Sequence, residues 1–295
     1  MTASFLTRMS RVLPVMAAAV IILCLALPAP DATAQKAARP LRIISLSPAV
    51  TESLYLLGLG ENIVGVTTYC NRPKEARAKE KVGTVIQPNL ERILKLRPDL
   101  VLAMTLTDPK TVQKMRDLRL NVVTFTIADT FSGLCDVFLE MGKATGRSAE
   151  AVRVVGTARA RVDAIKRRTA RLPKPAVLVQ IGSKPFFVAT KDVFMNDFIE
   201  FAGAVNVFRD VASGNVGREE AVLRDPDVIL IVTMGLTGEN ERLAWKRFPT
   251  VKAVKNDRIY LVDSDDVCSP TPVSFARSLG DIAMLLHPGE AEEFR

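Results

Sequence analysis

Residues 89–104 read NLERILKLRPDLVLAM and residues 217–232 read GREEAVLRDPDVILIV. In each copy a Glu precedes a Pro-Asp pair by seven residues and an apolar β-like run follows: Glu91 with Pro98 and Asp99, Glu219 with Pro226 and Asp227. Helix, Pro-Asp turn and buried strand is a common connection, because the residue before Pro is pushed out of the helical region. One copy would constrain little. Two copies with their acids in register predict a fold that builds the same αβ unit twice.

The surroundings of each copy agree. From Leu41 short apolar runs alternate with helical patterns: LRIISL, TESLYLLG, NIVGVT, NLERILKL, DLVLAM and NVVTFT, closed by a helical stretch near Thr130–Ala144. Such alternation predicts α/β units around a mainly parallel sheet. After Gly146 comes SAEAVRVVGTARARVDAIKRRTARL, free of Pro, long enough to span about 35 Å at ~1.5 Å per residue. Ala149, Val152, Val155, Ala158, Val162 and Ile165 recur every three or four positions, so this helix is amphipathic, and Pro173 and Pro175 end it. A second α/β block runs from AVLVQIG to a last helical stretch near Val273–Leu286. The predicted fold class is α/β, with two Rossmann-like lobes, central mainly parallel sheets and a single long connecting helix. The N-terminal lobe covers 41–146, the helix 147–172 and the C-terminal lobe 173–290.

The amino end is an address. Arg8 and Arg11 precede an uncharged run from Val12 to Ala29, which closes before Ala32, Thr33 and Ala34. That order predicts a signal peptide over 1–34, cleaved after Ala34, and a periplasmic mature protein. A membrane span fits less well, because Pro14 and Pro28 shorten the run and no basic stop-transfer flank follows. A lipid anchor would need a small residue before Cys24, where Leu23 stands.

Loss of Arg8, Arg11 and Asp31 takes the formal charge from +8 to +7. Apart from Lys166, Arg167 and Arg168 the basic residues lie along the whole chain, which argues for a soluble surface and against a nucleic-acid face. Cys70, Cys135 and Cys268 remain after cleavage, an odd count without metal-ligand spacing. The only histidine is His287, near the carboxyl end, so neither a multi-imidazole metal site nor a Ser-His-Asp device is expected. Glu91 and Glu219 admit two readings from symmetry alone. Each can stabilise a helix amino end, or the pair can grip a partner carrying two basic patches.

RIISLSPAVTESLYLLGLGENIVGVTTYCNRP, KVGTVIQPNLERILKLRPDLVLA, KPFFVATKDVFMNDFIEFAGAVNVF, GREEAVLRDPDVIL and AVKNDRIYLVDSDD, in this order, resemble periplasmic receptors for cobalamin, haem and ferric siderophores. These are the class III, helical-backbone solute-binding proteins of ABC importers, and the resemblance covers nearly all of the mature chain. It implies that Glu91 and Glu219 dock on arginines of the permease dimer, which works with an ATPase. It also implies a ligand in the cleft between lobes, met by Ser47, Pro48, Tyr69, Cys70, Gln87, Phe186, Phe187, Asp266 and Cys268. The expectation is therefore a monomeric receptor, not an enzyme, without catalytic residue, metal or cofactor of its own, meeting the membrane only through its permease.

The TTYCNRP loop is most similar to the cobalamin branch, which makes a corrinoid the expected ligand, with haem or a ferric siderophore as alternatives. Departures are visible. Val85 stands where a cobalamin receptor has Trp, other aromatics of that receptor are replaced near Gly214, Asn215 and Asp266, and SPTP at Ser269–Pro272 replaces the PGPR-like run of many siderophore receptors. No Arg cluster marks the cleft loops, and only Tyr69 or a cysteine could reach a haem iron. Cys70 and Cys268 could be bonded across the cleft, could ligate the ligand's metal, or could be two small thiols; Cys135 fits a helix core position. A stiff helical hinge predicts small lobe movements, with release when the permease prises the lobes apart. The rivals are an exported hydrolase using Glu91 and Glu219 as its carboxylate pair, and a sensor's ligand module.

Overall fold

The computed structural model describes residues 40–232 and 238–294, without the side chains of residues 266 and 293. The signal segment 1–34, with Cys24, lies outside the described residues. From Leu41 onward the chain forms one compact unit.

In the N-terminal lobe, β1 (Ile43–Ser45), α1 (Pro48–Leu56), β2 (Ile63–Val66), α2 (Leu90–Lys95), β3 (Leu100–Met104), α3 (Pro109–Asp117) and β4 (Val122–Phe125) follow one another. The strands form a parallel sheet of order β2-β1-β3-β4. The helix α4 (Phe131–Ala144) closes this lobe, and the 22-residue α5 (Ser148–Thr169), about 33 Å long at ~1.5 Å per residue, connects it to the next. The C-terminal lobe contains β5 (Ala176–Ser183), β6 (Phe186–Val188), α6 (Met195–Phe201), β7 (Val205–Asn206), α7 (Arg218–Leu223), β8 (Val228–Val232), α8 (Gly238–Trp245), α9 (Lys252–Lys255), β9 (Ile259–Val262) and α10 (Ser264–Val267). Its separate sheet has the order β6-β5-β8-β9, with β7 beside β5, and β6 is its antiparallel edge. The last long helix, α11 (Pro272–Leu286), returns to pack on α5 and α4.

Period-two alternation in buried strands decides where the cores lie. Ile43 of β1 and Val228, Leu230 and Val232 of β8 join one apolar cluster that also holds Val155, Ala158 and Val162 of α5 and Phe275 and Leu279 of α11. This core runs through the spine from lobe to lobe. Ile44 and Val101 face away into a second cluster with Met115, and Ile229 and Ile231 into a third with Trp245 and Phe208.

The buried stripe of α5 differs at its start from the sequence reading. Ala151, Val154 and Val155 are buried, whereas Ala149 faces solvent and Val152 is 63% exposed. Both stripes satisfy the same helical period, and the tertiary neighbour selects between them. Gly142 of α4 approaches Ala151 so closely that a Cβ on it would lie 2.4 Å from the alanine's methyl.

The repeat has a structural counterpart. Before each Pro-Asp pair the chain turns through a left-handed residue, Arg97 at φ 46° and Asp225 at φ 45°. Each Asp then pins the start of the neighbouring strand. Asp99 Oδ2 accepts from the amide of Arg42 at 2.9 Å, and Asp227 Oδ2 accepts from that of Ala176 at 2.8 Å.

Candidate functional site

In each sheet the parallel strands end on one edge, and the loops leaving that edge are free to form a site, as is general for open α/β sheets. Between the lobes these loops enclose a cavity of about 680 Å³, counting the part open to solvent. Ser47 follows β1, Met104 and Leu106 lie at the end of β3, and Ile127 follows β4. The C-terminal lobe contributes Phe194, ahead of α6, and Cys268 to Pro270, after α10. None of the residues lining the cavity carries a formal charge.

The floor is aromatic and ties the lobes together. Phe131, the first residue of α4, stacks on Phe275 of α11 with ring centroids 4.7 Å apart, and Phe275 stacks on Phe198 of α6 at 4.1 Å. Thr130 caps α4 by accepting from the Gly133 amide. The free amide of Phe131 donates across the junction to Asp197 Oδ2 at 2.6 Å. Burial pushes the Asp197 carboxyl above the ordinary Asp range; the Phe131 hydrogen bond opposes that shift and the nearby Glu200 adds to it. Two further contacts cross between lobes: Thr271 Oγ1 donates to Glu52 Oε1 at 3.4 Å, and Arg72, 3.3 Å from Glu52, donates to the backbone oxygen of Asp265.

Of the residues expected at the ligand, Ser47 and Cys268 line the cavity. Pro48 is the first residue of α1, immediately beside Ser47. Tyr69, 60% exposed, lies in the loop after β2, Gln87 in an exposed turn closed by Thr84, and Phe187, 37% exposed, on β6; none of the three is part of the cavity wall. Asp266 lies in α10, and its side chain is outside the described residues.

Two of the expected residues are buried away from the cavity wall. Cys70 is fully buried, with its Sγ 3.0 Å from Thr67 Oγ1, because the turn after β2 folds it into the core. Phe186 is also turned inward: on β6 it alternates with Phe187 and packs against Trp245 at 6.1 Å, under the guanidinium of Arg218. All three described cysteines are free thiols. Burial, and after it Asp265 and Asp263, pushes the Cys268 thiol up to about 11.

Sequence reading missed the aromatic wall, since Phe131 and Phe275 sit at ordinary helical core positions and Phe194 in the turn ahead of α6. Only the places of Met104 and Ile127, at the ends of β-like runs, could have marked them as cavity residues.

Glu91 and Glu219 occupy the first turns of α2 and α7. Both are exposed, and neither makes an ion pair or side-chain hydrogen bond among the described residues. Among those residues, too, no helix is long and apolar enough to cross a membrane.

Two lobes on a helical spine, with one cavity between the carboxyl edges of their sheets, are the architecture of a solute-binding protein. The family model for periplasmic binding proteins matches residues 43–265. An uncharacterized ABC transporter substrate-binding lipoprotein of Bacillus subtilis is 30% identical over 89% of this chain and 84% of its own. The vitamin B12-binding protein of Vibrio parahaemolyticus is 26% identical over 85% of this chain and 91% of its own. A crystal structure described as a possible iron-binding, periplasmic solute-binding protein of Staphylococcus epidermidis is 33% identical, with a TM-score of 0.75 over 83% of this chain and 98% of that one. The chain belongs to the periplasmic binding protein family, with the class III fold. It is a substrate-binding component of an ABC transporter, partnered by a membrane permease and an ATPase, and not an enzyme.

Proposed function

We propose that the mature, monomeric protein captures a corrinoid in the cavity between its lobes in the periplasm. It then delivers this ligand to the permease, docking through Glu91 and Glu219. The observation that carries the ligand class is the cavity wall, which joins three phenyl rings, Phe131, Phe194 and Phe275, to aliphatic and small polar groups without a charge. A macrocycle that already encloses its metal needs apolar area and a few polar contacts. An anionic chelate would call for cations, and a bare haem iron for a Tyr or His, neither of which lines the wall. The 26% identity to a vitamin B12-binding protein over most of both chains supports the same reading. The 33% identity to a possible iron-binding protein favours an iron chelate as the second reading.

Calorimetric titration with cyanocobalamin, haem and ferrichrome tests it. One-to-one binding of cyanocobalamin is expected, weakened by about 1–3 kcal/mol in Phe194→Ala through loss of an aromatic anchor. Heat from haem or ferrichrome alone would transfer the site to iron chelates, and heat from none of the three would overturn the reading. Calorimetry is preferred to fluorescence because Trp245, the only tryptophan, is fully buried in the cluster on the far face of the C-terminal sheet.

A further inference from the structure

The amino edge of the C-terminal sheet, opposite the cavity, has its own chemistry. Ala176 of β5 pairs with Val205 of β7, and Val177 with Val228 of β8, so three strands begin together there. Beside that edge runs a groove of about 870 Å³, counting its open side. Three cations from separate segments line it: Lys166 from the last turn of α5, Lys174 from the link to β5, and Arg209 from the loop after β7.

The carboxylates nearby are engaged or few. Glu200 lines the groove and accepts from Asn196 at 2.9 Å. Asp197 holds the Phe131 amide, and Asp210, next to Arg209, is paired with Arg224 at 2.6 Å. Among the described residues Lys166, Lys174 and Arg209 make no ion pair. Lys166 Nζ lies 4.1 Å from the centre of the Phe201 ring, a contact that leaves its N–H donors available.

The carboxyl end of α5 attracts cations through the helix dipole, which is reason enough for Lys166 and its neighbour Arg167. It is no reason for Lys174 and Arg209, which the tertiary fold brings to the same groove from outside the helix. Three cations against the single groove carboxylate of Glu200 leave the concave surface net positive, and the concavity focuses that field. A phosphate group suits such a set, because its tetrahedral oxygens accept from an Arg fork and from ammonium groups arriving from different sides.

We propose that this groove binds a phosphate-bearing anion, at a site separate from the inter-lobe cavity and independent of the transported solute. The source of the phosphate is either a small free anion or a lipid headgroup, and the two share the recognition chemistry. The groove has the volume for a diphosphate.

Two arms test the site on the mature protein: calorimetry with inorganic pyrophosphate at low ionic strength, and co-sedimentation with phosphatidylglycerol against phosphatidylcholine vesicles. Saturable one-to-one binding of pyrophosphate, or selective binding of the anionic vesicles, is expected; the first alone assigns a free anion and the second a headgroup. Lys174→Glu with Arg209→Glu should weaken that binding at least about tenfold, since charge-assisted contacts are lost and repulsion is added. Lys174→Gln with Arg209→Gln should give a smaller loss. The exposed pair Lys114→Glu with Lys143→Glu changes net charge equally far from the groove and should leave binding within about twofold, because distant charges are screened. No binding of either probe, or equal losses in the two double Glu variants, overturns the site.

Discussion

The Cys268 thiol stands at the cavity wall, pushed up to about 11 by burial and by Asp265 and Asp263. At neutral pH it is a protonated thiol, which presents the cavity with a small soft surface rather than an anionic donor. Cys70 and Cys135 are buried, so Cys268 is the described cysteine open to a reagent. Iodoacetamide should label it at pH 8 about a hundredfold slower than a free thiol of pKa ~8.5, with the rate climbing about tenfold per pH unit towards 11. Labelling at a free-thiol rate at pH 8 would show that the carboxylates and burial do not govern it. At this scale sequence reading had mixed success for a definite reason. A loop residue's order in the chain does not determine which way its side chain points. Cys70 sits in the loop after β2 and Cys268 in the turn after α10, yet one turn folds its thiol into the core and the other lays it on the cavity.

Among the elements, α5 carries the mechanical demand, and its one weak position is exposed. A Cβ on Gly156 would meet nothing within 4 Å, and its φ lies outside the left-handed region. Gly156→Ala should therefore raise stability by about 0.5–1 kcal/mol, read as a shift of the urea midpoint with unchanged slope. The two Pro-Asp turns are the other test. Asp227→Ala removes the acceptor for the Ala176 amide at the entrance to β5, and Asp99→Ala does the same for Arg42 before β1. A hydrogen bond to a carboxylate is worth about 1.5–3 kcal/mol when shielded; partial exposure of Asp227 reduces the expected cost to about 1–2 kcal/mol in urea unfolding. A loss below a few tenths would mean water replaces the carboxylate. The repeat made the helix, turn and strand readable from residue types, but the reach of each Asp to another strand was not, because that contact is made across more than fifty positions of chain.

For the whole molecule, the two sheets are separate, each copy of the repeat belongs to one of them, and the repeated glutamates stay exposed and unpaired at helix amino ends. A docking role requires acids of that kind, since exposed charges set register and encounter more than affinity. Glu91→Ala with Glu219→Ala should abolish solute uptake in cells while leaving calorimetric ligand affinity unchanged; a large loss of affinity would place the acids in ligand binding instead. The order of elements, the doubled αβ unit and the long helix were decided by the sequence itself, because they follow from local periodicity and turn chemistry; the family was legible only through the resemblance of its ordered motifs. The tertiary structure alone decided which stripe of α5 is buried, that Phe131, Phe194 and Phe275 form one cavity, and that Lys174 and Arg209 meet Lys166. Those outcomes depend on contacts between segments distant in the chain, and periodicity says which residues are apolar or charged without saying which partner each will meet.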